Sequence, residues 1–237
     1  MKDKIPEITN VLLNSQFESS IISHSNLVDC TEVITKKRVE KWKSQGSFVV
    51  GNSGGYDLLS LNHIRGLVQA RIIGAVILLG EGASVPDIFE VAGSDRIKLL
   101  ISLDTNLAIE ENKSRGTESN GAIRPLLDWE TRAKILSLQS FNHHQPLVNF
   151  ITRHGPNSCN ICEADSCWHA NKKYNVASTG VDVTVLKSID EPTINRYPDS
   201  KFYLIDENKH AFFDQILEGQ ISTSAILKRI RSDIRND

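Results

Sequence analysis

Ser47-Phe48-Val49-Val50-Gly51-Asn52-Ser53-Gly54-Gly55-Tyr56-Asp57-Leu58-Leu59-Ser60-Leu61-Asn62-His63-Ile64 is the stretch that decides the fold. Ser47–Val50 is a short β-prone run, and Gly51–Gly55 reads as a turn with two adjacent glycines. From His63 to Ile73 the period changes, with Ile64, Leu67, Val68 and Ile72 apolar at helical spacing. A strand that passes through a Gly-rich loop into a helix is the unit that builds parallel sheets.

The chain on either side agrees. Two apolar runs, Ala75–Leu79 and Ile97–Leu103, are separated by Gly80–Arg96, which contains a short helix around Asp87–Val91. Residues 105–123 are polar and glycine-containing and read as a long loop. Asp128–Leu138 is helical, with Asp128 as its cap. Val181–Leu186 and Phe202–Ile205 read as later strands, and Thr223–Ile234 as a last helix capped by Ser222. Strands alternating with helices predict an α/β domain with a Rossmann-like, mainly parallel sheet flanked by helices. Residues 1–46 are polar and read as an N-terminal extension, helix-forming from Thr35 to Lys43, which leaves 47–237 as the domain.

Composition limits the function classes. With 40% hydrophobic and 24% charged residues, the 237-residue chain has ordinary globular content and needs no disulfide staples. A formal net charge of -2 argues against a general grip on nucleic acid. The apolar run Ile72–Leu79 is far short of a membrane span, and Met1-Lys2-Asp3-Lys4 leads into a polar segment without a signal-peptide core. These features predict a cytoplasmic protein that does not engage a membrane; self-association is left open.

Gly54-Gly55-Tyr56-Asp57-Leu58-Leu59-Ser60-Leu61-Asn62-His63 resembles the signature of the cytidylyltransferase-like nucleotidyltransferases, Gly-x-Phe-Asp-Leu-Leu-His-x-Gly-His. Leu99–Asp104 followed by Lys113, then Arg124-Pro125-Leu126-Leu127…Glu130-Thr131-Arg132-Ala133, and Ile221-Ser222-Thr223-Ser224…Arg229-Ile230 are similar to three further blocks of that family, in the same order. The resemblance extends over 47–231 and includes glycerol-3-phosphate cytidylyltransferases and the nucleotidyl-transfer domain of ADP-heptose synthases. It implies condensation of CTP or ATP, carried with Mg²⁺, with a phosphorylated sugar or alcohol, releasing pyrophosphate. His63, Lys113 and Arg132 are then the expected catalytic residues. Gly54, Gly55, Tyr56, Asp57, Ser60, Ser222, Thr223 and Ser224 are the expected nucleotide contacts. Such chemistry needs no covalent intermediate, only positioning and neutralisation of phosphate charge. The chain departs from the pattern where Ser60 replaces the first histidine and Asn62 the glycine, and where 74–97 reads as an insertion. A degenerate, non-catalytic nucleotide-binding or partner-binding protein on the same fold is the competing reading.

A second cluster lies in 154–172. Cys159, Cys162, Cys167 and His169, with His154 as alternate, put five candidate ligands in one short segment. The Cys-x-x-Cys spacing turns both sulfurs to one side, and thiolate and imidazole favour Zn²⁺ in a structural, fully coordinated site. A redox pair and inert thiols are the alternatives.

Overall fold

The computed structural model describes residues 28–29, 32–80, 82–113, 124–143, 145–154, 176–186, 195 and 197–205. Among them the elements are β1 (Val28–Asp29), α1 (Glu32–Ser44), β2 (Phe48–Gly54), α2 (Leu61–Leu79), α3 (Val85–Ala92), β3 (Ile97–Asp104), α4 (Asn106–Lys113), α5 (Trp129–Ser137), β4 (Phe150–His154), β5 (Val183–Leu186) and β6 (Phe202–Leu204), with a 3-10 turn at Val176–Thr179 before β5. The strands form one sheet in the order β1-β4-β3-β2-β5-β6. Every pairing in it is parallel. The expected parallel α/β architecture is therefore present.

β3 sits inside the sheet, and its apolar residues are buried on both faces. Leu99, Ile101 and Leu103 face one layer, together with Val50, Ile151, Val183 and Val185, under Leu67, Ala70 and Ala75 of α2 and Trp129, Ala133 and Leu136 of α5. Leu100 faces the other layer with Val49 and Phe150, against Val39 of α1. A strand covered on both faces needs a continuous apolar run, which Ile97–Leu103 supplies apart from Lys98 and Ser102. α2 lies close on β2 because Gly74 faces it: a Cβ there would meet Val50 Cγ2 at 2.5 Å.

Four local expectations change. β2 runs through Gly51-Asn52-Ser53 to Gly54, so the turn begins later than the glycines suggest; pairing with β3 from Phe48 to Gly54 overrides local turn preference. Ala75–Leu79 continues α2, because its apolar residues extend the helix that covers the sheet. Part of 105–123 is helical: Thr105 Oγ1 accepts from Ala108 N–H at 3.2 Å and starts α4. The boundary at 47 also falls inside the fold, since β1 pairs with β4 and Val39 of α1 is core.

Candidate active site

The chain moves outward from β2 through β3 to β4, then crosses back to place β5 on the other side of β2. The switch point therefore lies between β2 and β5. In open parallel sheets ligands enter at the C-terminal ends of the strands at such a point. β2 ends there at Gly54, and the candidate signature follows it directly.

Gly55 is closely approached: a Cβ would meet Ile109 Cδ1 at 3.1 Å and lie in ordinary contact with Asp104 Oδ2 at 3.6 Å. The left-handed conformation falls instead on Tyr56, with φ 45°. A tyrosine there is strained, and strain of this kind gathers at functional sites. Two contacts hold it. The hydroxyl donates to Asn52 Oδ1 at 2.5 Å, and Asn52 Nδ2 donates to Val185 O of β5 at 2.7 Å. The pair therefore links the two strands flanking the switch point. Burial, with the nearby charge of Asp104, keeps the phenol well above its ordinary pKa, so it stays neutral.

Asp57 is 2% exposed and organises the neighbouring loop. Its Oδ1 accepts from Leu126 and Leu127 N–H at 2.7 and 3.1 Å, and its Oδ2 from Arg124 Nε at 3.1 Å. The resemblance implies a nucleotide contact at Asp57; its carboxylate here anchors the Arg124–Leu127 loop, which contains a cis Arg124–Pro125 bond.

Arg132 is 1% exposed, on the sheet-facing side of α5. Its Nε donates to Leu127 O at 3.0 Å, Nη1 to Gly55 O and Asp104 O at 2.5 and 2.8 Å, and Nη2 to Asn106 Oδ1 at 2.8 Å. Burial lowers the guanidinium pKa, opposed by Asp57, Asp104 and Asp128. The side chain expected on a phosphate thus braces the glycine turn. Its five N–H donors already have four protein oxygens to serve.

Ser60 is the N-cap of α2, and its carbonyl accepts from the His63 and Ile64 N–H groups. His63, third in the helix, returns its ring to the cap: Ser60 N–H donates to His63 Nδ1 at 3.1 Å, and Ser60 Oγ lies 3.1 Å from the same atom. Its ring centroid is 5.3 Å from that of Tyr56. At this edge the N-termini of α2 and α4 follow adjacent strands, and helix N-termini favour anions.

The structure brings Gly54, Gly55, Tyr56, Asp57, Ser60, His63 and Arg132 together at one end of the sheet. Lys113 closes α4, and only its backbone is described. Ser222, Thr223, Ser224, Cys159, Cys162, Cys167 and His169 lie outside the described residues, as does the side chain of His154. No group of three or more His, Cys, Asp or Glu side chains suited to a metal ion occurs among the described residues. Sequence reading gave no role to Asn52, Arg124 or Asn106. Asn52 left one trace, an amide inside a strand whose neighbours are apolar or small. No family model and no curated protein matches this chain.

Proposed function

We propose that the protein is a nucleotidyltransferase of the cytidylyltransferase-like kind, joining CTP or ATP to a phosphorylated sugar or alcohol. One observation carries the reading. The signature segment leaves β2 at the switch point, and its histidine lies in the first turn of the helix that follows.

In the proposed step an acceptor phosphate oxygen attacks the α-phosphorus of the triphosphate. The bond from that phosphorus to the bridging β-phosphate oxygen breaks, and pyrophosphate leaves with its electron pair. Mg²⁺ enters with the triphosphate as part of the substrate. The helix terminus attracts the phosphates, and His63 donates a hydrogen bond as charge grows on the α-phosphate. Arg132 acts through the turn: by bonding Gly55 O and Asp104 O it keeps the phosphate-facing backbone in place. Lys113, Ser222, Thr223 and Ser224 are proposed contacts for the remaining phosphates. A structural zinc on Cys159, Cys162, Cys167 and His169 is proposed separately; elemental analysis of protein purified without chelators should find about one equivalent.

The test is pyrophosphate release with each triphosphate and a panel of phosphorylated sugars and alcohols, beside melting temperature with Mg²⁺–nucleotide. A stabilising nucleotide and turnover with one acceptor are expected. Stabilisation without turnover for any pair, unchanged in Ser60→His, would favour a nucleotide-binding protein without catalysis. The bonding of Arg132 to protein oxygens is the observation that keeps this second reading in play. Among the described residues no helix is long and apolar enough to cross a membrane.

A further inference from the structure

We propose that Ser60, Tyr56 and Asn52 are positioning residues that hold His63 as the tautomer with hydrogen on Nε2. The inference deepens the nucleotidyltransferase reading and rests on it for its purpose, since that reading makes His63 the donor to phosphate.

The Ser60 amide nitrogen offers only a hydrogen, and it stands 3.1 Å from His63 Nδ1. Nδ1 must therefore be the acceptor, and the neutral ring carries its hydrogen on Nε2. The opposite tautomer would set two N–H groups against each other at that distance. Ser60 Oγ, also 3.1 Å from Nδ1, can turn its hydrogen toward the same lone pair. Because the decisive donor belongs to the backbone, most side chains at position 60 would preserve it.

The tilt of the ring is set from the other side. Tyr56 packs against it at 5.3 Å between centroids, with 59° between planes. Tyr56 cannot swing freely, since its hydroxyl is bonded to Asn52, which is bonded in turn to Val185 of β5. Contacts thus run unbroken from the strand beyond the switch point to the imidazole. Two of the departures from the family signature, Tyr56 for phenylalanine and Ser60 for histidine, lie against the same ring. Ser60 in place of the family's histidine leaves the orientation of His63 intact, because the donor to Nδ1 is the backbone N–H.

The experiment is ¹⁵N NMR of the full-length protein labelled at histidine, with His63 assigned by comparison with His63→Gln. The neutral ring of His63 should show hydrogen on Nε2, and Ser60→Ala should leave that pattern unchanged. Asn52→Ala should shift the pattern toward tautomer averaging, and Tyr56→Phe, which keeps the ring, serves the same purpose if Asn52→Ala fails to fold. In a turnover assay either variant should lower kcat by roughly 10-fold with little change in KM, the signature of a misplaced donor. Hydrogen on Nδ1, or averaged tautomers in the wild type, overturns the proposal whether or not any nucleotide reacts. An unaltered signal in both Asn52→Ala and Tyr56→Phe removes those two residues from it. The Nε2–H pattern without turnover on any substrate pair supports the tautomer assignment and counts against the nucleotidyltransferase reading alone.

Discussion

A buried arginine holds each end of the sheet, and the two differ in what surrounds them. Arg71, fully buried, serves the N-terminal ends of β3 and β4. It donates to Ala92 O at 2.7 Å, Ser94 O at 3.0 Å, Pro146 O at 3.3 Å and Asn149 Oδ1 at 2.9 Å, and its guanidinium carbon lies 5.3 Å from the Phe141 ring centroid. These bonds pin two connections that must end before the strands begin. Burial pulls its pKa down to about 10, partly offset by Asp95, so it remains charged at neutral pH. Arg132 uses a similar set of bonds at the C-terminal ends of β2 and β3. Around it stand the buried carboxylate of Asp57, the positive φ of Tyr56 and two helix N-termini. One arginine closes a seam of the fold; the other holds a polar, strained turn in a fixed shape. Among the described residues the positive-φ non-glycine lies at the second end, and backbone strain of this kind gathers at functional sites.

Paired variants test that contrast most strongly. Arg71→Ala and Arg132→Ala each leave several buried oxygens unpaired, so each should lose on the order of 3–5 kcal/mol of stability in chemical denaturation. Only Arg132→Ala should also weaken nucleotide binding, measured by titration under conditions where both variants are folded. Equal loss of binding in Arg71→Ala would erase the difference between the two ends.

His63→Ala sharpens the same comparison. It should reduce turnover by about 10²–10³ with KM nearly unchanged, because the donor acts chiefly on charge formed in the transition state. It should also cost about 1 kcal/mol of stability, because the Ser60 N–H loses its acceptor. Wild-type turnover in this variant would remove His63 from the chemistry.

Gly74→Ala probes the sheet away from the site. The new Cβ would stand 2.5 Å from Val50 Cγ2, so overpacking should cost about 1–3 kcal/mol in a thermal or denaturant transition, with nucleotide affinity retained in folded protein.

The smallest effect is expected at Asp128. Hydrogen bonds from the Thr131 side chain and backbone hold its carboxyl below its ordinary pKa, with Lys134 and Arg132 adding to them against a small burial cost. Asp128→Ala should lose about 1 kcal/mol, the usual worth of a cap. A lowered folded-state pKa means the contribution is fully present above the unfolded value and fades as pH falls through the folded one. The variant and wild type should therefore converge in stability only in acid, below about pH 4. Convergence at neutral pH would show that the cap contributes nothing.

Several of these features are legible in the sequence alone. Asp128 announced its helix because a cap acts within one turn, and its carboxylate does accept from Thr131 N–H at 2.7 Å. Ile97–Leu103 stands out in the sequence as an apolar run, and a strand buried on both faces requires such a run. The start of the Gly-rich stretch reads locally as a turn, but pairing within the sheet keeps Gly51-Asn52-Ser53 extended. Arg132 reads from the sequence as a cation for phosphate. Its burial depends on the turn, the end of β3 and the start of α4 meeting around it, and none of those is its neighbour in the chain.

The sequence alone determined the alternation of strands and helices and the cap at Asp128, because periodicity and capping act over a few residues. Tertiary structure decided what those residues do. Asn52 became a bridge to β5, Asp57 a loop anchor and Ser60 the donor to His63 Nδ1. Only folding brings β5 beside β2 and the Arg124–Leu127 loop beside Asp57, and residues 133 and 69 positions apart then share a hydrogen bond. The partner a polar side chain finds is set by that long-range approach, which local sequence does not encode.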